Sequence, residues 1–147
     1  MTAEQTTAER FSYTLERTLE SPVATVWGAW TVAESYARWS YAAPGSVEMD
    51  VRPGGAWKAT VVTPDGGEFP LTGAYSEVDE NHRLVIGMDV PGKDDPALMT
   101  VEFVEQSAHR TRVAVSQTCD TADERDLAEQ GTTMLLDSLT AFLKTAA

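Results

Sequence analysis

The sequence predicts an α+β domain in which a curved antiparallel sheet packs around one long C-terminal helix. Six strand-like runs follow one another between residues 47 and 119, and short turns join them. Such spacers favour an antiparallel meander, because parallel neighbours need crossovers of a dozen residues or more. A further strand and two short helices precede the meander. The helix that follows it is the element long enough to cover the one face that such a sheet must bury.

The first strand is predicted over residues 11–19, where larger side chains alternate with polar ones. Ser21 is expected to cap the next helix, and Pro22 suits its first position. Val23, Val26, Trp27 and Trp30 follow at the spacing of an apolar helical stripe. A second short helix is predicted from residue 33 to residue 39. The chain therefore places two short helices directly after its first strand.

The meander is predicted from alternating apolar residues and from turn signals between them. The segment 47–52 alternates across the two faces of a strand, and Pro53 then ends strand pairing because it cannot donate a backbone hydrogen bond. Gly54 and Gly55 provide the backbone freedom of a tight turn. Turn-forming residues separate the later runs as well. The predicted strands cover residues 47–52, 56–62, 69–78, 83–89, 98–105 and 111–119.

The last helix is predicted to begin at a capping box, in which Thr121 is followed three residues later by Glu124. Gly131 is expected to let the helix approach the sheet closely, at a cost of about 1 kcal/mol against alanine in a helix interior. The face expected to cover the sheet combines residues at helical spacing, namely Leu127, Gly131, Met134, Leu135, Ser138 and Phe142, broadened by Leu139 and Leu143.

Composition excludes several classes of function. The chain has 147 residues, and we predict a single domain over residues 11–147 after a flexible N-terminus over residues 1–10. The formal net charge of −12 argues against nucleic acid and against anionic membrane surfaces, because both require basic patches. No apolar run approaches the ~20 residues of a membrane span, and the polar N-terminus lacks a signal-peptide core. A cytoplasmic protein is therefore expected.

Metal and cofactor chemistry are not expected. Cys119 is the one cysteine, which excludes an internal disulfide and fits a reducing compartment. The two histidines, His82 and His109, lie in predicted turns, and the sequence has neither a CxxC pair nor an HExxH motif. No Ser-His-Asp or Cys-His set can be assembled. Arg17 shares a strand face with leucines and is expected to find a salt bridge near the end of that strand, with a ligand anion as the alternative partner.

The residues resemble a known family. The order of elements is that of the START-like, or SRPBCC, superfamily with its helix-grip fold, and the chain looks like the branch named after the activator of the heat-shock protein 90 ATPase. The resemblance covers about residues 10 to 145. It rests on Arg17 before Ser21-Pro22, Val26-Trp27, Trp39, Asp50-x-Arg52-Pro53-Gly54-Gly55, Asp65-Gly66, Gly73, Arg83-Leu84 and Thr111-Arg112. Such motifs indicate the fold far more than the function.

Two positions depart from the pattern of that branch. Gln117 stands where members often carry histidine at the end of the last strand, which removes the side chain best suited to proton transfer near neutral pH. Thr132 stands where many carry tryptophan after the glycine of the last helix. The loss of an indole is expected to enlarge a cavity or to change its mouth.

A cavity is expected between the sheet and the last helix, since a concave sheet and a single helix are hard to pack densely along their whole length. The resemblance supports this expectation, with a filled core as the alternative. Tyr75 and Gln117 are the polar groups expected to orient a ligand. The predicted ligand-binding residues are Trp39, Met49, Trp57, Tyr75, Met88, Met99, Phe103, Val115, Gln117, Met134, Leu135 and Ser138.

Three functions are open at this point. The first is binding of a small hydrophobic or aromatic molecule, with several methionines adapting to different guests. The second is an enzyme of the polyketide aromatase/cyclase type, which could act by shape and a few polar groups. The third is an interaction module that stimulates a chaperone ATPase, and it has the least support in the sequence. The expected partner is a small hydrophobic ligand, and a homodimer and a chaperone are the alternatives.

Overall fold

The protein is described by a computed structural model that covers residues 11–90, 92 and 94–146. Seven antiparallel strands form one curved sheet in the order β1-β7-β6-β5-β4-β3-β2. Three helices accompany it, and the helix-grip fold expected from the sequence is confirmed. The predicted flexible segment 1–10 lies outside the described residues. The elements in chain order are β1 Ser12–Leu19, α1 Val23–Thr31, α2 Ala33–Trp39, β2 Glu48–Met49, β3 Ala56–Val62, β4 Glu68–Asp79, β5 Arg83–Met88, β6 Ala97–Ser107, β7 Arg110–Thr118 and α3 Ala122–Ala146.

The two short helices begin and end without the predicted side-chain cap. Pro22 is the N-cap of α1, and its carbonyl accepts hydrogen bonds from the backbone of the first turn. Ser21, which was expected to cap, is instead buried, and its carbonyl accepts a 2.9 Å hydrogen bond from the Thr111 hydroxyl. Val32 ends α1 and starts α2 in an extended conformation. This single extended residue turns α2 away from the line of α1.

The glycine turn after β2 is docked onto β4, and it shortens the predicted strand 47–52 to two residues. Gly54 has a φ of 81°, and a Cβ on Gly55 would lie 1.9 Å from the Asp50 carbonyl oxygen. Tyr75 donates its backbone N–H to Gly55 and accepts from Gly54, at 2.9 and 2.7 Å. These backbone hydrogen bonds to β4 hold the turn where a longer strand would otherwise pair. The turn requires glycine at both positions.

The capping box starts α3, but the face that α3 buries differs from the predicted one. The Thr121 hydroxyl accepts from the Glu124 backbone at 3.1 Å, while the Glu124 carboxylate reaches the Asp120 N–H at 3.3 Å. Thr132 and three leucines, Leu136, Leu139 and Leu143, form the buried stripe. Leu127 and Met134 are 69% and 56% exposed, and Gly131 faces open space with no atom within 4 Å of a Cβ. The prediction for these three residues was wrong, because α3 is apolar on more than one side and packing against β1, β7 and α2 selects the face.

The concave face of the sheet has two parts. In the first, which we call the closed half, Leu84, Val101, Val113 and Val115 have no exposed surface and pack with Leu136 and Leu139 of α3 in one core. In the second, the open half, inward-facing apolar side chains pack against the core but keep part of their surface accessible. The open half consists of Met49, Leu71, Ile86, Met88 and Met99, with Trp57 and Tyr75 between them. No helix among the described residues is long and apolar enough to cross a membrane.

Candidate functional site

Trp57 forms a wall of the open half, and its indole is held by contacts with two glycines, Gly73 and Gly87. It faces Gly73 across β3 and β4, and its Nε1 donates a 2.9 Å hydrogen bond to the Gly87 carbonyl on β5. A Cβ on Gly73 would lie 1.9 Å from that carbonyl oxygen and 2.7 Å from the indole nitrogen. The indole of Trp57 thus occupies the space that a side chain at position 73 would fill. Because the Trp57 Nε1 is already hydrogen-bonded within the sheet, the indole presents apolar surface.

Tyr75 is the most deeply buried polar residue of the open half. It lies on β4 opposite Ile86, and its backbone is held by the glycine turn. Its side chain is 2% exposed, and its hydroxyl has no hydrogen-bond partner within the part of the chain that the structure describes. Burial raises the pKa of Tyr75, and the nearby Tyr36 raises it further. The phenol therefore stays neutral and offers a donor.

Tyr36 on α2 faces the same region, and sequence reasoning missed it. Its ring meets Trp39 edge-on at 5.1 Å and Trp30 at 6.4 Å, within an aromatic cluster. Burial raises the pKa of Tyr36 to about 12, and its hydroxyl has no hydrogen-bond partner among the described residues. The spacing of three residues between Tyr36 and Trp39 could have signalled a shared helix face. Tyr36 is thus near enough to Tyr75 for its charge to raise the pKa of Tyr75.

A polar triad joins the sheet to α3 at the other end of the open half. Tyr13 donates to the Gln117 side-chain oxygen at 2.5 Å, and its hydroxyl lies 2.7 Å from the Thr132 hydroxyl, which can donate to it. Burial raises the pKa of Tyr13, partly offset by the hydrogen bond to Thr132. Gln117 and Thr132 are the two positions that depart from the family pattern. These two departures are therefore linked, because the Tyr13 hydroxyl is hydrogen-bonded to both side chains.

The remaining predicted ligand-binding residues divide by position. Phe103 and Val115 lie in the closed half, and Trp39 is 1% exposed with its Nε1 donating to the Ala29 carbonyl, so all three are core. Met134 lies on the outer side of α3 and points to solvent. It is therefore no longer a candidate ligand-binding residue. The structure brings together Met49, Trp57, Tyr75, Met88, Met99 and Gln117 on the sheet, with Leu135 and Ser138 partly buried on the facing helix.

Leu135 is partly buried against the core and lies on the side of α3 away from the β1 edge. On α3 the side facing β1 is marked by Asp137, whose carboxylate lies 3.4 Å from the Arg17 guanidinium. At 3.6 residues per turn, Leu135 is about 160° around the helix from Asp137. The salt bridge expected for Arg17 is thus confirmed. The strands present no charged side chain to the open half among its described residues.

Two surface grooves lie elsewhere. The larger, of about 1090 Å³, opens at the end of β1, β6 and β7. It is bordered by hydroxyls such as Ser12 and Thr118, by the carboxylates of Asp94, Asp95 and Asp120, and reaches Gln117. The smaller, of about 350 Å³, lies over β3 and β4 and contains none of the predicted site residues. Apolar residues, among them Pro96 and Leu98, share the lining of the larger groove, and neither groove contains Trp57, Tyr75, Met88 or Met99.

Metal and catalytic constellations can be assessed from the same geometry. Over the described ranges, no three His, Cys, Asp or Glu side chains come together as metal ligands. The Asp50 carboxylate and the Arg52 guanidinium are 2.7 Å apart, but both side chains are more than half exposed. They form a solvated ion pair.

The fold defines a class of protein, the helix-grip domains, in which a curved antiparallel sheet packs around a long C-terminal helix. Within this class, the family model described as "Activator of Hsp90 ATPase homolog 1-like protein" matches residues 20–144. The chain belongs to that family, and the resemblance seen in its sequence is confirmed. None of the curated proteins matches the chain.

Solved structures agree with this assignment. Protein NE0264 from Nitrosomonas europaea is 25% identical with a TM-score of 0.78, covering 93% of this chain and 96% of that one. A protein from Rhizobium leguminosarum is 26% identical with a TM-score of 0.66, covering 91% and 94%. The AHSA1-like protein from Aeromonas hydrophila is 23% identical with a TM-score of 0.76, covering 92% and 93%. At 23% identity the last likeness shows the fold alone.

Proposed function

We propose that this protein binds a small hydrophobic or aromatic molecule in the open half, between the sheet and α3. The observation that carries the proposal is the contrast within one concave face. The inward side chains of the closed half have no exposed surface, whereas Met49, Ile86, Met88 and Met99 keep accessible surface although they also point inward. Accessible apolar surface on the inner side of a sheet is a cost that a guest would remove, at about 25 cal/mol per Å² buried.

The chemistry of the walls fits such a guest. Trp57 offers an indole whose nitrogen is already bonded, and Met88 and Met99 offer flexible, polarizable side chains that adapt to different shapes. Tyr75 supplies the isolated polar group that ligand sites use to fix orientation. A mostly apolar site with few convergent polar groups is typical of small-molecule binding.

Titration with N-phenylnaphthylamine, a neutral fluorescent probe, tests the proposal. The parent protein should bind the probe, enhance its emission and gain thermal stability in proportion to ligand concentration. Leu135→Trp should fill the open half from α3 and weaken binding by about tenfold or more, equivalent to about 1.4 kcal/mol. Met134→Trp is the matched control, since it adds the same indole one residue earlier on the exposed side of the helix.

The outcomes separate clearly. Met134→Trp should leave the probe affinity within about twofold, whereas Leu135→Trp should not. If overpacking by Leu135→Trp prevents folding, Met99→Trp fills the same space from the sheet. No probe binding by the folded parent protein, or equal effects of the Leu135 and Met134 substitutions, would show that the open half is not the binding site.

The other two functions have weaker support. A cyclase-type enzyme needs a reacting group beside the ligand, and the phenols of Tyr36 and Tyr75 are hydrogen-bond donors without an adjacent base among the described residues. Chaperone activation is suggested by the family's description alone, and family membership does not transfer an activity. Ligand binding is therefore the function that the geometry supports best.

A further inference from the structure

We propose that the ligand of the open half is an elongated apolar molecule, and that its far end lies along the hairpin formed by β3 and β4, against the inward side chains of Leu71 and Phe69. The inference rests on the proposed function. It adds to that function the shape of the ligand and the residue that selects for its length, Phe69.

The β3–β4 hairpin projects beyond the neighbouring strand. β5 pairs with β4 only as far as Met88, which lies opposite Gly73. Residues 68–71 of β4 therefore pair with β3 on one side and with no strand on the other side among the described residues. Pro70 lies in this stretch, and a proline cannot donate a backbone hydrogen bond to an added strand. The hairpin thus offers its face to a ligand rather than its edge.

The inward face of the hairpin continues the apolar lining of the open half. Strand alternation places Tyr75, Gly73, Leu71 and Phe69 on the inward side of β4, and Leu71 packs against the core. The Trp57 indole lies beside Gly73 and fills the interval between its two neighbours on this face. The residues directly opposite on β3 are also apolar, namely Trp57, Ala59 and Val61. We call these residues of the two strands the apolar track.

Exposure rises along the apolar track towards the end of the hairpin. Tyr75 is 2% exposed, Leu71 is partly buried, and Phe69 is 60% exposed. Phe69 lies six positions before Tyr75, which corresponds to about 20 Å along an antiparallel strand. The exposed ring of Phe69 costs free energy that an apolar partner removes. A compact ligand in the open half leaves this ring in water, whereas an elongated one covers it.

The charged side chains of the hairpin lie away from the apolar track. Lys58 and Glu68 alternate onto the outer face, where the Lys58 ammonium lies 3.4 Å from the Glu48 carboxylate. Asp65 lies in the turn, and its carboxylate accepts a hydrogen bond from the Thr63 hydroxyl. A charged group on the track would lose hydration without an ion pair in return. The far end of the ligand is therefore uncharged.

A homologous series of alcohols tests the shape of the ligand. Hexanol, octanol, decanol and dodecanol each compete with N-phenylnaphthylamine for the folded protein. Every methylene that the apolar track buries should tighten binding by about fourfold, and the gain should continue to the longest chain. A gain that stops at hexanol would show that the site is compact. That result would overturn the inference, while binding in the open half would stand.

Truncation on the hairpin assigns the gain to Phe69. Phe69→Ala should weaken dodecanol by about fourfold or more and leave hexanol unchanged, because only the longer chain reaches position 69. Phe69→Leu keeps an apolar side chain there and should restore most of the dodecanol affinity. Val62→Ala is the matched control, since Val62 is 38% exposed on the outer face of the same hairpin and should change neither affinity.

The results distinguish this inference from the proposed function. An unchanged dodecanol affinity in Phe69→Ala, or an equal loss of hexanol affinity, contradicts the inference and leaves ligand binding in place. If the parent protein is a dimer that Phe69→Ala dissociates without weakening dodecanol, the hairpin face is an interface between copies and the inference is wrong. If neither N-phenylnaphthylamine nor any alcohol binds, the proposed function fails and the inference fails with it.

Discussion

The closed and open halves of the concave face share β5 and β6, but the closed half continues onto β7 and the open half onto β4, β3 and β2. In the closed half, the β-branched side chains of Val101, Val113 and Val115 meet the buried stripe of α3 and lose all exposure. In the open half, methionines and two aromatic residues line the sheet where α3 makes few close approaches. The difference teaches that one helix closes only the strands it crosses, so a sheet wider than its cover keeps accessible apolar surface on its inner face.

Two tyrosines, Tyr13 and Tyr75, show a similar contrast in the hydrogen bonding of their hydroxyls. The Tyr13 hydroxyl is satisfied twice, by Gln117 and Thr132, and it ties the edge strands to α3. The Tyr75 side chain is 2% exposed, and its hydroxyl makes no hydrogen bond within the described part of the chain. The first hydroxyl therefore joins parts of the fold, whereas the second does not. The following predictions test this division, from the largest expected effect to the smallest.

The largest effect is expected from leucine truncations at neighbouring positions of α3. Leu136 is fully buried in the closed half, so Leu136→Ala should lower the free energy of unfolding by about 2–5 kcal/mol, through lost burial and a residual cavity. Leu135 is only partly buried beside the open half, so Leu135→Ala should cost about 1 kcal/mol or less. Urea unfolding measures both. Equal losses would mean that the two halves are packed alike.

Alkaline unfolding should report the buried phenols. Tyr36 has a folded pKa of about 12 against an ordinary value of 10, so the folded state keeps its proton longer than the unfolded state. Its contribution is fully present below pH 10 and is lost as pH rises from 10 through 12, by on the order of 2 kcal/mol at the upper end. Tyr36→Phe should remove this part of the pH dependence. Tyr41→Phe should retain it, and an unchanged profile for Tyr36→Phe would contradict burial of the phenol.

Much of the fold could be predicted from the sequence, because its signals are local. The glycine turn at Gly54 and Gly55 and the capping box at Thr121 depend on backbone geometry within a few residues, and both are present. The face of α3 could not be predicted in the same way. Leu127 and Met134 satisfy the helical period as well as Leu136 does, and only tertiary packing decides among them.

The candidate site was predictable in part for a related reason. Strand alternation correctly placed Met88, Met99 and Tyr75 on the inner face. Successive side chains of a strand point to opposite faces, so the pattern has to choose between two faces only. Tyr36 was missed because its relevance depends on where α2 lies over β4, which no local pattern encodes. The link between Gln117 and Thr132 was hidden for the same reason, since Tyr13 joins them across more than a hundred residues.

Removal of the Tyr13 hydroxyl should destabilise the protein. Tyr13→Phe leaves the Gln117 oxygen and the Thr132 hydroxyl without their shared partner in a buried region, so we expect a loss of about 1–3 kcal/mol in the free energy of unfolding. Thermal and urea unfolding measure it, and Tyr41→Phe, at an exposed tyrosine, is the control. A Tyr13→Phe variant as stable as the parent protein would show that the triad does not hold α3 to the sheet.

The same substitution at Tyr75 should have the opposite sign and the smallest size. Its hydroxyl makes no hydrogen bond to the described residues, so Tyr75→Phe loses no protein hydrogen bond. The ligand-free protein should keep its stability or gain up to about 1 kcal/mol. Saturating acetylnaphthalene, a neutral aryl ketone, should then stabilise the parent protein more than the variant if the ketone oxygen accepts from this hydroxyl. A Tyr75→Phe variant that is clearly less stable without ligand would mean that the hydroxyl already serves the fold, and the contrast between Tyr13 and Tyr75 would be lost.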